Sequence, residues 1–464
     1  MIHELAMRGE VAVVGLGRSG RAVALLLRRD GAAVYASDGG TGAFVERAAA
    51  ELRALGVDAQ TGGHDLERIA RASVVVASPG VPPDAAPLAC AAARGVPIVS
   101  EVEVALDYLP RTRCIAVTGT NGKTTVTALI DHLLRALGHD SMAAGNIGTA
   151  LSEVALREPP PAWVALEMSS FQLHDTPSLT PAVGVLTNLA PDHLDRYRSI
   201  EQYYADKMRL FANASAGSAW VTNADDEEVE RRTAAVRGRH LRFSLRPGVG
   251  DAFLSGAGDL VVLGAPLLPR AMLPLLGDHN VANALAAALA VLASGAVRIE
   301  GDARIRLARA LGTFRGMPHR LEIVGETGGV QWINDSKATN VSSARVAIEG
   351  MTRPTVVLLG GRHKGEPYTG LADALARHAR LVIAYGEAAP RIAADLAGHV
   401  PLERLGSSFD EVIARARAAA QPGDAVLLSP ACSSFDMFTN YEERGAAFRR
   451  AAGAAGTPGG ASAS

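Results

Sequence analysis

The sequence holds little cysteine. Cys90, Cys114 and Cys432 lie far apart in a chain of 464 residues, and none sits in a CxxC pair. A disulfide framework and a cysteine zinc site are both excluded, and a reducing, cytoplasmic setting is expected. Neither charge is in excess: 46 Lys and Arg face 48 Asp and Glu. That balance argues against a dedicated nucleic-acid binder or a membrane-surface protein. No uninterrupted apolar window reaches the roughly 18 residues of a membrane span, so no membrane insertion is expected. Met1–Glu10 mixes charges where a signal peptide would be apolar. Hydrophobic residues make up 48% and charged residues 20%, which excludes global disorder.

Lysine is scarcer than its chemistry would suggest. Of the 46 basic residues only Lys123, Lys207, Lys337 and Lys364 are lysine. The rest are arginine, so these four are candidates for work that needs a compact ammonium or an amine that can lose its proton.

Short apolar strands alternate with helices along most of the chain, which predicts an α/β fold with largely parallel sheets. Val11–Val14 reads as a strand followed by a glycine turn and a helix from Arg18 to Arg29. Cys114–Val117 opens a second block in the same way, and strands at 355–359, 381–385 and 425–429 mark a third. The expectation is three domains. They are a Rossmann-like domain over residues 1–105, a P-loop ATPase domain over 106–315 and a second Rossmann-like domain over 316–452. Residues 245–275, rich in Gly, Pro and Leu, read as irregular, and the tail 453–464 as disordered.

The segment Val117-Thr-Gly-Thr-Asn-Gly-Lys-Thr-Thr125 lies between a strand and a helix. It is a shortened P-loop, with Gly119 and Gly122 three apart rather than five. Its amides and helix N-terminus suit phosphate, Lys123 the β/γ-phosphates and Thr124 a Mg²⁺ ion. Gly15-Leu-Gly17-Arg-Ser-Gly20 with Asp38 fits the dinucleotide fingerprint. Such a turn accepts NAD or any other diphosphate. Glu167 ends an apolar stretch where a ligand crevice is expected, and could hold Mg²⁺. His193 stands between Asp192 and Asp195 as a possible ligand. Lys207 shares a helix face with Tyr203, Tyr204, Leu210 and Phe211. The residues alone favour a snorkelling ammonium there, with a buried nucleophilic amine as the alternative. Three further polar segments, Asn334-Asp-Ser-Lys-Ala-Thr-Asn340, Gly360-Gly-Arg-His-Lys364 and Ser429-Pro-Ala-Cys-Ser-Ser-Phe-Asp436, each follow a strand and suggest one substrate pocket.

Taken together, the shortened loop, Glu167, Asp192-His193, Lys207 and His319-Arg320 resemble, in order and spacing, the Mur ligase family of ATP-dependent amino-acid ligases of peptidoglycan synthesis. The resemblance runs from Val11 to about Arg449. Within the family, Gly145-Asn-Ile-Gly148 and the segments 334–340 and 429–436 resemble the branch that adds D-glutamate to UDP-N-acetylmuramoyl-L-alanine. The resemblance implies ATP and two Mg²⁺ ions as cofactors and a cytoplasmic monomer. Gly119, Thr120, Asn121, Gly122, Lys123, Thr124, Thr125, Asn280, Arg320 and Asp335 would contact ATP. Thr124 and Glu167 would hold one Mg²⁺, and His193 with a carbamylated Lys207 the second. Arg18, Ser19, Asp38, Ser78, Gly80 and Asn146 would bind the UDP-sugar, so the resemblance turns the first glycine motif from NAD to UDP. Lys337, Thr339, Lys364, Ser434, Phe435 and Tyr441 would form the D-glutamate pocket. Lys123, His193 and Lys207 are the catalytic candidates. The arginine-rich stretch from Arg231 to Arg246 receives no role.

Overall fold

The computed structural model describes residues 2–192, 196–297 and 302–453. These residues form three sheets in two compact units. The first unit, Met1–Arg270 with Ala282–Gly312, carries two sheets; the second, Ala271–Val281 with Thr313 onward, carries one.

The first sheet has five parallel strands in the order Asp58–Thr61, Val34–Asp38, Val11–Val14, Val74–Ala77, Ile98–Ser100. Val11–Val14 and Val74–Ala77 are buried at every position. They read as unbroken apolar runs because helices cover both faces of a parallel sheet. The chain leaves Val11–Val14 to one side and returns on the other, so the turn at Gly15 lies at the point where strand order reverses. Ligands of such sheets bind there.

The second sheet has nine strands. Seven run parallel, Ala252–Leu254 and then Arg239–Ser244, Ala219–Asn223, Val183–Leu186, Arg113–Thr118, Trp163–Glu167 and Ser141–Gly145. The segment expected to be irregular is instead ordered at the sheet's edge, as Ala252–Leu254, Asp259–Val262 and Ala265–Pro269. Ala252–Leu254 lies parallel to its inner neighbour, and the last two strands fold back antiparallel. Gly258 and Gly264 turn the chain with φ of 86° and 76°. The strands between these turns are too short to show a period of their own. The helix expected to carry Lys207, Leu210 and Phe211 on one face spans Ile200–Met208, then tightens into a 3₁₀ turn, Arg209–Phe211.

The third sheet orders Glu322–Thr327, Val330–Asn334, Ala425–Leu428, Thr355–Gly360, Ala379–Tyr385 and Leu402–Arg404. Its first two strands form a hairpin through Gly328-Gly329, both at positive φ, and the rest are parallel. Asn334, Leu428 and Gly360 therefore end three neighbouring strands on one edge. Among the described residues no helix is long and apolar enough to cross a membrane.

Candidate active site

The shortened P-loop is built by two glycines and closed by a neighbouring strand end. Gly119 has φ of 143° and Gly122 of 82°. A Cβ at Gly119 would run into the Thr187 hydroxyl, and one at Gly122 would meet Asn283 Oδ1 at 2.5 Å. Thr187 and Asn188 follow the adjacent strand and grip the loop. Asn121 N donates to Asn188 Oδ1 at 2.8 Å, and the Thr187 hydroxyl donates to Asn121 O at 2.6 Å. Thr120 N donates to Asn188 O at 3.0 Å. Lys123 begins the helix Lys123–Ala136, and its ammonium folds back onto Gly119 O at 2.9 Å and Thr120 O at 2.8 Å. Thr124 and Thr125 follow it in the first helical turn, whose amides suit an anion.

Glu167 ends the strand beside the loop and is 2% exposed. Asn146 binds it twice, donating from Nδ2 to Oε1 at 2.9 Å and from its backbone N to the Glu167 carbonyl at 2.9 Å. The other carboxylate oxygen, Oε2, is buried and has no hydrogen-bond partner among the described residues. A buried carboxylate oxygen left open, with the Thr124 hydroxyl at the helix start, is a hard-oxygen donor set that fits Mg²⁺. His193, expected as a ligand to a second ion, lies outside the described residues, as does Asp195, which flanks it in sequence.

Lys207 does not snorkel. It is 1% exposed; its Nζ donates to Gly119 O at 2.7 Å and lies 4.6 Å from the Tyr203 ring centre. Burial, and then the charge of Lys123, lower its pKa well below the ordinary lysine range, against the pull of Asp192 and Glu167. Two of the four lysines thus meet on one carbonyl.

In the first sheet, Asp38 serves the turn itself. Its Oδ2 accepts from Leu16 N at 2.7 Å and its Oδ1 from Gly40 N at 2.8 Å. Ser78 Oγ donates to Gly15 O at 3.0 Å. Arg18 and Ser19 open the helix Arg18–Arg29, and the Arg18 guanidinium donates to Gly148 O, in the loop that carries Asn146. Gly80 is exposed. Arg18 and Asn146, from two different sheets, are thereby brought to one loop.

The second unit gathers its three strand-end loops around one buried arginine. Arg444, 0% exposed, donates to Ser336 Oγ at 3.0 Å, Ser336 O at 2.9 Å, Cys432 O at 3.2 Å, Ser433 O at 3.3 Å and Gly360 O at 3.4 Å. Each expected loop supplies at least one acceptor. Lys364 Nζ donates to Thr339 Oγ1 at 3.2 Å, and Lys337 Nζ lies 5.2 Å from the Tyr441 ring centre. Ser434 is buried and Phe435 is exposed. Asp335 is buried, accepting from Ser429 Oγ at 2.8 Å and Leu321 N at 3.2 Å. Burial pushes its carboxyl up to about 7. Asn280 Nδ2 donates to Leu276 O at 2.8 Å, and Arg320 lies one residue after His319, whose φ is 62°.

Sequence reasoning missed Asn283, Arg196 and Arg444. Asn283 stands one helical turn beyond Asn280, a spacing that could have flagged it. The two arginines carry no local signal in a chain that writes arginine almost everywhere. Four of the six arginines in the stretch 231–246 pair with acids, Arg231 and Arg232 with Glu228, Arg242 with Glu230 and Arg246 with Asp225, and Arg239 donates to Ala293 O at 3.2 Å.

Comparison with known proteins agrees along the chain. Residues 9–100 match the MurD-like N-terminal domain of Mur ligases, 117–291 the Mur ligase middle domain and 319–432 the Mur ligase glutamate ligase domain. A protein of Acidobacterium capsulatum named UDP-N-acetylmuramoylalanine--D-glutamate ligase is 40% identical over 446 residues, 95% of both chains. One of the same name from Salinibacter ruber is 40% identical over 464 residues, 97% of this chain and 99% of its own. The crystal structure of UDP-N-acetylmuramate-alanine ligase from Thermotoga maritima superposes with a TM-score of 0.60 at 21% identity. It covers 95% of this chain and 98% of its own. MurF from Acinetobacter baumannii gives 0.59 at 16%, covering 92% and 94%. At such identities these two speak to the fold alone.

Proposed function

This chain belongs to the Mur ligase family, and from that membership we propose that it joins D-glutamate to UDP-N-acetylmuramoyl-L-alanine at the expense of ATP. The observation that carries the reading is the meeting of Lys123 and Lys207 on the Gly119 carbonyl, beside the open oxygen of Glu167. A loop with two amines and a buried acid at its back suits a triphosphate and its metal. The family is ATP-dependent; that this member uses two Mg²⁺ ions is part of the proposal.

In this reading the L-alanyl carboxylate attacks the γ-phosphorus of ATP, and the bond to the bridging oxygen breaks to give an acyl phosphate and ADP. The amine of D-glutamate attacks the acyl carbon. The acyl C–O bond breaks, phosphate leaves, and the amine proton passes to solvent. Both partners of the first step are anionic, so the site must supply positive charge. Lys123 turns from the loop carbonyls to the β/γ-phosphates, and the amides from Gly119 to Thr125 line them. Thr124 and Glu167 would hold one Mg²⁺, and His193 with Lys207, as its carbamate, the second. Bound Mg²⁺ supplies charge neutralisation at the triphosphate. The neutral amine implied by the burial of Lys207 is the form that takes up CO₂. Asn280, Arg320 and Asp335 are assigned to ATP by the resemblance. Arg18, Ser19, Asp38, Ser78, Gly80 and Asn146 are assigned to the UDP-sugar, and the Arg18–Gly148 contact supports that grouping. D-Glutamate brings two carboxylates, for which Lys337 and Lys364 are the available cations, with Thr339, Ser434, Phe435 and Tyr441 around them. The domain limits 105 and 315, a cytoplasmic location and a monomeric state go with this reading, since ATP and nucleotide-activated sugars are cytoplasmic.

The test is phosphate release from ATP and Mg²⁺ with UDP-N-acetylmuramoyl-L-alanine and a panel of D- and L-amino acids. Release with D-glutamate alone, and a product heavier by one glutamyl residue, is expected. Release with another amino acid would keep the ligase chemistry and remove the D-glutamate assignment. With ¹³C-bicarbonate, a carbamate resonance present in the wild type and missing in Lys207→Met tests the modification.

A further inference from the structure

We infer that Arg196 is a positioning residue that fixes the Ser78–Val81 loop of the first sheet against the phosphate-loop half of the same unit; the inference rests on the assignment of that loop to the UDP-sugar. Arg196 NH1 donates to Pro79 O at 3.4 Å and NH2 to Val81 O at 3.1 Å. The two carbonyls flank Gly80, so the guanidinium holds the loop on both sides of the residue assigned to ligand. Its Cζ lies 4.2 Å from the Phe171 ring centre. Phe171 sits on the helix Ser170–His174, which a capping box between Ser169 and Gln172 sets directly after Glu167-Met168.

From Phe171 the contacts continue to the phosphate loop. Phe171 stacks on Tyr197 at 5.3 Å and 14°. Tyr197 meets Tyr203 edge-on at 5.3 Å. The Tyr203 hydroxyl is 3.3 Å from Thr120 Oγ1, and its ring carries Lys207 Nζ. An unbroken row of packed groups therefore joins Gly80 to Thr120. Arginine is the side chain this place needs. A planar guanidinium can stack on a ring through its face while two of its edge N–H groups reach two separate carbonyls, which an ammonium cannot do. Among the described residues no carboxylate pairs with it, so its hydrogen bonds go to the loop. The family reading gives Arg196 no part in chemistry; the row of contacts gives it the alignment of the nucleotide-sugar with the phosphate that activates it.

The test compares wild type with Arg196→Met and Arg196→Lys. Binding of UDP alone is followed by calorimetry, together with KM for each of the three substrates and the melting temperature. Loss of the two hydrogen bonds predicts that Arg196→Met weakens UDP and raises KM for the UDP-sugar by roughly tenfold. KM for ATP and D-glutamate should stay within about twofold, and Arg196→Lys should recover part of the loss. An unchanged UDP affinity in Arg196→Met would overturn the inference. So would an equal rise in all three KM values with a lowered melting temperature, which would mark general loosening. A wild type that binds UDP without ligase turnover removes the ligase reading and leaves the UDP titration to decide this one. A wild type that turns over as a ligase but does not bind UDP alone leaves the KM for the UDP-sugar to decide: an unchanged value in Arg196→Met would overturn the inference.

Discussion

Two glycine turns in the first unit follow a buried strand and open a helix, and their centres carry opposite charge. At Gly15–Gly20 the carboxylate of Asp38 takes the Leu16 and Gly40 amides. At Gly119–Lys123 the charge is the Lys123 ammonium, which takes the Gly119 carbonyl together with the buried Lys207 amine. Each turn holds a glycine at positive φ, Gly15 at 94° and Gly122 at 82°, although the residue that opens the helix is extended in the first turn (Gly17) and left-handed in the second (Gly122). A turn already filled by a carboxylate repels a phosphate and suits uncharged donors such as hydroxyls. A turn backed by amines suits the phosphate itself. The strand-turn-helix unit thus brings a nucleotide to the sheet, and the side chain behind the turn selects which part of the nucleotide it meets.

That contrast breaks if the two turns respond alike to loss of their central charge. Lys123→Met is expected to lower kcat by about 10³-fold, with KM for the UDP-sugar nearly unchanged, measured by phosphate release. The positive φ that Gly15 and Gly122 share makes the opposite prediction for the glycines. A Cβ at Gly15 would lie 2.9 Å from Ser78, and one at Gly122 2.5 Å from Asn283. Gly15→Ala and Gly122→Ala should therefore each destabilise by about 1–3 kcal/mol in urea unfolding. A large difference between them would mean that the turns are less alike than their φ values. Smaller again, Asp38→Asn should raise KM for the UDP-sugar by roughly fivefold, about 1 kcal/mol, because one backbone amide loses its charged acceptor; kcat should hold.

Both turns were legible in the sequence, since strand, glycine spacing and helix stand in one short window. The three loops of the third sheet were legible for the same reason, and the structure sets Asn334, Leu428 and Gly360 on adjacent strand ends. The edge strands between 252 and 269 were not, because runs of three to five residues between glycines leave no period to read. Lys207 was misread from its own helix. An amphipathic face shows that a side chain is near apolar neighbours, but the carbonyl that captures the amine lies 88 positions away. Arg444 and Arg196 bind carbonyls of distant loops, and any arginine looks the same until those loops have been folded together. Local chemistry is written locally; the groups that hold several loops in register are not.

A third strand-end carboxylate extends the comparison. Asp335, like Asp38, accepts a backbone amide from a neighbouring segment, but it also takes the Ser429 hydroxyl and is deeply buried. Burial lifts its pKa from the ordinary 3.8 to about 7. Between those values the folded state holds a proton that the unfolded state has released. The stability this group contributes is therefore full below 3.8 and is lost as pH rises through about 7. Asp335→Asn keeps an oxygen for Leu321 N and offers an N–H to the Ser429 hydroxyl, but cannot titrate. Relative to the variant, wild type should lose a few degrees of melting temperature between about pH 4 and pH 7. Other titrating groups are common to both proteins and cancel in the difference. Parallel profiles would mean that Asp335 is already ionised in the folded state, as a carboxylate open to water would be, and the distinction between a filled turn and a buried one would fall.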